Sequence, residues 1–260
     1  SYRQIIVIGY MRNIIIQTSD GVNGSPHLKM LDLTAPIVEK YSDIFGYEYY
    51  RWDGIKVNPN GKRWFAIYNK AFLFDEIYKR GGYDWIILLD CDSFISTHKI
   101  DFLKNTLDSA SGKLVASTMV GGHDEWWCID GNTIFINVKH ENSQLLIENW
   151  LDRTLKMYDW DDPLFGLVGP GDNVAHYTVG LDNEMVPFHN ILAEFDSNKF
   201  PIHYMNRKSG YNEDGHEISL VFDDYIRHYG RYNETYLIEE RIEQIKRGID
   251  FFIDKGDLII

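Results

Sequence analysis

Residues 84–94, Asp-Trp-Ile-Ile-Leu-Leu-Asp-Cys-Asp-Ser-Phe, place two carboxylates, Asp90 and Asp92, two positions apart directly after an apolar run. Hydrophobicity that is continuous rather than alternating marks a strand covered on both faces, as in the middle of a parallel or mixed sheet. Ligands of open α/β sheets bind beyond the carboxyl ends of the strands, which is where this pair falls. Carboxylates at i and i+2 of an extended segment face the same side and can share a hard divalent cation through their oxygens. The plainer alternative is that one aspartate caps a following helix, helped by Ser93 or Ser96, while the other faces water. The buried strand in front of the pair and the aromatic-rich helix before it favour the metal.

The elements that must position this pair follow from periodicity. Residues 4–10 and 13–21 read as apolar strands, the second ending in the polar turn Thr18-Ser19-Asp20-Gly21. Leu33, Ile37, Tyr41 and Ile44 recur at helical spacing over 30–46, and Gly46 is a natural left-handed cap. A strand at 47–52 and a turn at 57–61 come next. Trp64, Tyr68, Ala71, Phe72, Ile77 and Tyr78 give a helix over 62–80, closed by Gly81-Gly82. Strands at 113–118 and 132–138, a helix at 141–157, a short helix at 171–179 with Asp172 near its start, and a charged helix at 235–254 complete the pattern. Strand and helix alternate, which predicts an α/β fold. No repeat, linker or composition shift divides the 260 residues, so one domain over 1–260 is expected.

Composition limits the ligands. Thirty-nine acidic against 26 basic side chains give a formal charge of −13, a field that repels nucleic acid, so a phosphorylated ligand needs local cations or a metal. Seventeen tyrosines and seven tryptophans suit packing, and also stacking on sugars or bases. No apolar run approaches the roughly 18 residues of a membrane span, which predicts a soluble chain. Of the two cysteines, Cys91 lies within the Asp90–Asp92 turn, where a disulfide would constrain the site; a reduced, cytoplasmic setting is favoured. No signal peptide is visible, while the sequons at Asn23 and Asn233 leave a lumenal, Golgi-type setting as the alternative.

Two chemistries use a hydrophobic strand followed by Asp-x-Asp. In phosphatases resembling haloacid dehalogenases the first aspartate, here Asp90, is the nucleophile, and Gly171-Asp172-Asn173 or Asp223-Asp224 could pose as the later acidic motif. Phe94, however, stands where Thr or Val is expected, and some eighty residues of α/β pattern precede the pair. In GT-A glycosyltransferases the pair holds Mn²⁺ or Mg²⁺ on a nucleotide-sugar diphosphate. A carbohydrate-binding protein without catalysis is the third reading.

The order IIIQTSDG, YSDIFGYEYY, WFAIYNKAFLFDEI, YDWIILLDCDSFI, then GNTIFINVKHENSQLLIENW, GPGDNVAHY and FPIHYMNRKSG resembles the GT-A family of plant xyloglucan xylosyltransferases and yeast galactomannan galactosyltransferases. The resemblance implies a Rossmann-like domain with a central mixed, mostly parallel sheet flanked by helices. Residues 1–120 would form the nucleotide-sugar-binding half, and 121–260 the acceptor-binding half with a C-terminal helix. It further implies Asp90, Asp92 and His203 as metal ligands. Thr18, Ser19, Lys70, Cys91 and Lys208 would lie around a UDP-sugar, with Lys208 neutralising the diphosphate as charge develops. Asp172 would face the donor sugar. Asp130, beside Trp126-Trp127-Cys128, is a second candidate acid or base, or else begins a turn with Gly131. The implied partners are a nucleotide-sugar donor carrying xylose, galactose or glucose and a glycan acceptor.

Overall fold

The computed structural model describes residues 12–56, 66–119, 125–156, 185–211, 217–229 and 238–259. The strand expected at 4–10, the turn at 57–61 and the short helix at 171–179 lie outside them. In chain order the elements are β1 (Asn13–Ser19), α1 (Pro26–Phe45), β2 (Glu48–Asp53), α2 (Asn69–Arg80), β3 (Trp85–Leu89), β4 (Ser93–Ile95), α3 (Phe102–Ser109) and β5 (Val115–Ser117). They continue with β6 (Thr133–Asn137), α4 (Ser143–Lys156), α5 (Met185–Glu194), β7 (Ile202–Tyr204), β8 (Arg207–Tyr211), β9 (Glu217–Phe222), β10 (Ile226–His228) and α6 (Ile238–Asp254).

A six-stranded sheet runs β2-β1-β3-β6-β5-β7. β1 is parallel to both neighbours and β5 to β7, whereas β6 is antiparallel to β3 and β5. The apolar run of β3 therefore sits inside the sheet, and all five of its residues are buried. The period of two along each strand sorts the core into layers. Ile15, Ile87, Leu89 and Phe135 pack with Val38 and Tyr41 of α1, Leu103 of α3 and Ile245 of α6. Ile14, Ile16, Ile86, Leu88 and Ile134 face the other way, onto Phe74 of α2, Trp150 of α4 and Phe188 of α5. Helices thus cover both faces, as the continuous hydrophobicity of β3 required.

Two helix starts differ from the periodicity. α1 begins at Pro26 rather than residue 30, because Ser25 caps it by accepting from the Leu28 amide at 3.1 Å and proline suits the first turn. Its expected stop holds: Gly46 has φ 79° and returns its N–H to Ser42 O. α2 begins at Asn69, after a single 3₁₀ turn at Ala66–Tyr68. Asn69 is fully buried and ties three segments together, donating to Thr18 Oγ1 (2.9 Å) and Gly54 O (2.7 Å) and accepting from the Lys56 amide (2.9 Å).

A second, antiparallel sheet, β4-β10-β9-β8, was not anticipated. β4 leaves the Asp90–Asp92 turn directly and pairs with β10, placing His228 opposite Ser93. Asp223 and Asp224 form the turn between β9 and β10, at φ 45° and 66°. The Asp223 carboxylate accepts from Thr106 Oγ1 and the Asn206 amide, both at 2.8 Å. That pair of aspartates is turn chemistry, not an acidic motif facing Asp90.

Candidate functional site

The turn carrying the two aspartates is held from beneath by buried side chains. Gln17, fully buried on β1, donates through Nε2 to the main-chain carbonyls of Asp90 (3.1 Å) and Ser93 (2.9 Å), while its Oε1 accepts from the Tyr49 hydroxyl (3.0 Å). Thr34 of α1 donates to Cys91 O at 2.8 Å. The Asp90 amide bonds Asn132 O at 3.1 Å, and the Ser93 amide closes the turn on Asp90 O at 2.9 Å. With its carbonyls occupied by the core, the turn directs its carboxylates the other way. Gln17 and Thr34 read in the sequence only as members of a strand and a helix.

Asp92 is 1% exposed and lies between two elements distant in sequence. From β10, His228 Nε2 stands 3.4 Å from Asp92 Oδ1, and the following Tyr229 amide bonds Asp92 O at 3.2 Å. From the first turn of α6, the Arg241 guanidinium contacts Asp92 Oδ2 and also donates to Tyr229 O. Asp90 has its own cation: Lys70 Nζ is 2.9 Å from Asp90 Oδ1 and donates to Gly131 O at 2.9 Å. Lys70 is only 3% exposed, so it is not part of a solvated helix face. Burial holds His228 below the ordinary histidine pKa, against the opposing pull of Asp90 and Asp130. Burial lowers the pKa of Arg241 as well, while Cys91 and Asp90 oppose it.

These groups fit a divalent cation. Among the described residues, Asp90, Asp92 and His228 are the group of three with metal-binding character, their ligand atoms all within 4.8 Å of one another. Two ligands at right angles around an ion of Mg²⁺ size are about 3 Å apart, close to the 3.4 Å between Asp92 Oδ1 and His228 Nε2. Oxygen and nitrogen together suit a first-row ion such as Mn²⁺ better than Mg²⁺. A neutral imidazole, which burial favours here, is the form that ligates.

The remaining expected residues are distributed as follows. His203 is on β7, in register with Ala116 of β5, and is not in the Asp90–Asp92 cluster; the histidine beside the pair is His228. Lys208 is on the second sheet, its exposed ammonium 2.5 Å from Asp224 Oδ1. The five-residue separation of His203 and Lys208 therefore bridges two sheets. Thr18 and Ser19 end β1, but their hydroxyls are engaged within the fold, Thr18 with Asn69 and Ser19 as donor to Asp53 Oδ1 at 3.1 Å. Gly21, at φ 64°, lets this turn meet the one after β2: a Cβ there would lie 2.5 Å from Gly54 N. Cys91 is partly buried, and burial, then the Asp90 charge, pushes its thiol up to about 12, so it stays protonated. Asp130 is 6% exposed in a turn beside Asp90, accepting from the Asn132 amide at 3.0 Å, with Arg207 Nη1 3.9 Å from its carboxylate. Asp172 lies outside the described residues.

No protein-family model matches this sequence, and no curated protein sequence matches it. Solved structures are similar to it. A glycosyltransferase involved in the glycosylation of the major capsid of PBCV-1 is 12% identical, with 91% of this chain and 99% of that one covered at a TM-score of 0.53. The galactosyltransferase LgtC, in complex with donor and acceptor sugar analogs, is 13% identical over 90% and 95% of the two chains at 0.49. Mouse xyloside xylosyltransferase 1 is 9% identical over 75% and 85% at 0.42. The mixed α/β architecture, with its central, mostly parallel sheet between layers of helices, is the GT-A glycosyltransferase fold.

Proposed function

We propose that this chain is a metal-dependent glycosyltransferase. It moves a sugar, with xylose, galactose or glucose as candidates, from a UDP-linked donor to a hydroxyl of a glycan acceptor. The observation that carries the proposal is the convergence of Asp90, Asp92 and His228 at the carboxyl end of a central strand within a GT-A fold. Kinship with plant xyloglucan xylosyltransferases and yeast galactomannan galactosyltransferases is a finer proposal that rests on the order of the quoted segments.

Asp90, Asp92 and His228 would hold the cation, and its charge would help neutralise a diphosphate leaving group. The chain's own part is to keep those ligands fixed. Gln17 and Thr34 lock the turn, and Lys70 sets Asp90. The turn between Thr18 and Gly54 would border the nucleotide, with Cys91 contributing backbone. Asp130, near Arg207 and bonded by the Asn132 amide, would be the described candidate carboxylate for the transferred sugar; Asp172 is the other candidate. If configuration is retained, such a carboxylate supports an oxocarbenium-like transition state; if inverted, it takes the acceptor proton. Lys208 would have to leave Asp224 to reach a diphosphate. The phosphatase alternative is weakened because Asp223-Asp224 is a hairpin turn and Phe94 is fully buried against Tyr229.

Thermal melting with UDP, GDP and their sugars, each with and without Mn²⁺, tests this reading. UDP is expected to raise the melting temperature only when Mn²⁺ is present, and Asp92→Asn to abolish the rise. The absence of a metal-dependent rise with every nucleotide would sink it.

A further inference from the structure

Arg241 is not used by the mechanism above, yet it is built into the cluster. Its guanidinium meets Asp92 Oδ2 while the other carboxylate oxygen faces His228, and a second bond, to Tyr229 O, fixes it. Both side chains are largely withdrawn from water, Asp92 at 1% exposure and Arg241 at 14%. Lys70, also buried, does the same for Asp90. Each carboxylate of the pair thus already has its own cation, in surroundings where charges interact more strongly than in water.

We propose that Arg241 is a positioning residue that also sets the charge of the site, so that a divalent cation is held weakly alone and firmly only together with an anionic diphosphate. The guanidinium stays charged in a protein and turns Asp92 so that Oδ1 points toward His228. An ion arriving alone meets two anchored positive charges that have spent the attraction of both carboxylates. A nucleoside diphosphate brings the missing negative charge, and metal, Arg241 and Lys70 then act on it together. A free cation would not fill the site in advance; donor and metal would be retained as a unit. The second half of this inference rests on the donor assigned above, whereas the first concerns only the chain's own charges.

The test is Mn²⁺ binding, read from the electron paramagnetic resonance signal of free Mn²⁺, with and without UDP, for the wild type, Arg241→Met and Arg241→Lys. Arg241→Met is expected to bind Mn²⁺ alone about tenfold or more tighter than the wild type, and Arg241→Lys to stay near the wild type. A purely structural role for Arg241 predicts the reverse, since a loosened Asp92 would bind the ion less well; equal or weaker binding by Arg241→Met overturns the proposal. Should Arg241→Met fail to fold, the wild type and Arg241→Lys decide it: UDP must tighten Mn²⁺ binding about tenfold or more, and equal affinity with and without UDP overturns it. Tighter binding of Mn²⁺ alone by Arg241→Met with no response to UDP in any form would uphold the charge role and overturn the nucleotide reading instead.

Discussion

Gly248 tests how closely α6 is packed against Tyr229, whose amide is bonded to Asp92 O. A Cβ at this position would lie 1.9 Å from Tyr229 Oη, 3.0 Å from its Cζ and 3.6 Å from Phe94 Cζ. Non-bonded heavy atoms prefer about 3.5 Å, so Gly248→Ala must part the helix and the hydroxyl by about 1.5 Å. The ring has no easy escape: it is stacked on Phe94 at 5.8 Å, and its own amide is bonded to Asp92 O. Overpacking of this kind costs about 1–3 kcal/mol, and alanine in place of glycine in a helix returns about 1 kcal/mol, leaving a net loss of up to about 2 kcal/mol. Tyr229→Phe removes the clashing atom. By itself it should be nearly neutral, because Tyr229 Oη is buried without a hydrogen-bond partner among the described residues. Urea denaturation in EDTA of the four proteins in the double-mutant cycle is the assay. Gly248→Ala is expected to cost at least about 1 kcal/mol less in the Tyr229→Phe background. An equal cost in both backgrounds would refute the assigned contact.

Other outcomes follow from single side chains. Gln17→Leu leaves the Asp90 and Ser93 carbonyls and the Tyr49 hydroxyl short of partners, so a loss of about 2–4 kcal/mol and weaker Mn²⁺ binding are expected in melts and metal titrations. Unchanged stability would remove Gln17 as the clamp. Burial lowers the pKa of His98, Lys40 adding to the effect, while its ring accepts from the Ile259 amide at 3.0 Å and bonds Ile37 O at 2.9 Å. The unfolded chain then binds the extra proton below about pH 6.5, so stability should fall as pH drops through that range. His140 and His228, also depressed by burial, act with the same sign. His98→Asn should therefore shallow the fall between pH 7.5 and 5 in EDTA without abolishing it; an unaltered slope would exclude His98.

The central frame was legible because its signals are local. Five apolar residues without alternation identified β3 as an interior strand, Gly46 ended α1, and the charged stretch 235–254 read as the helix that α6 forms. The aspartate pair was legible for the same reason. The second sheet was not, since β4, β7 and β10 have three residues each and are defined by partners far along the chain. His228 was hidden with it. Its one sequence signal was the Asp223-Asp224 turn followed by alternating Ile226, Arg227 and His228, read instead as a possible acidic motif. Resemblance pointed to His203 because spacing along the chain stood in for pairing in space, and β7 carries that residue to Ala116 instead. Arg241 read only as one charge of the C-terminal helix, and Lys70 as a donor contact, since nothing local reveals that a cation will be buried against a carboxylate.

Asp90, Asp92 and His228 are proposed to share one divalent cation at the donor site. Electron spin echo envelope modulation of Mn²⁺ bound with UDP reads directly whether an imidazole nitrogen touches the ion. Nitrogen modulation is expected in the wild type and in His203→Ala, and its loss in His228→Ala. Nitrogen coupling that survives in His228→Ala, or disappears in His203→Ala, would contradict it.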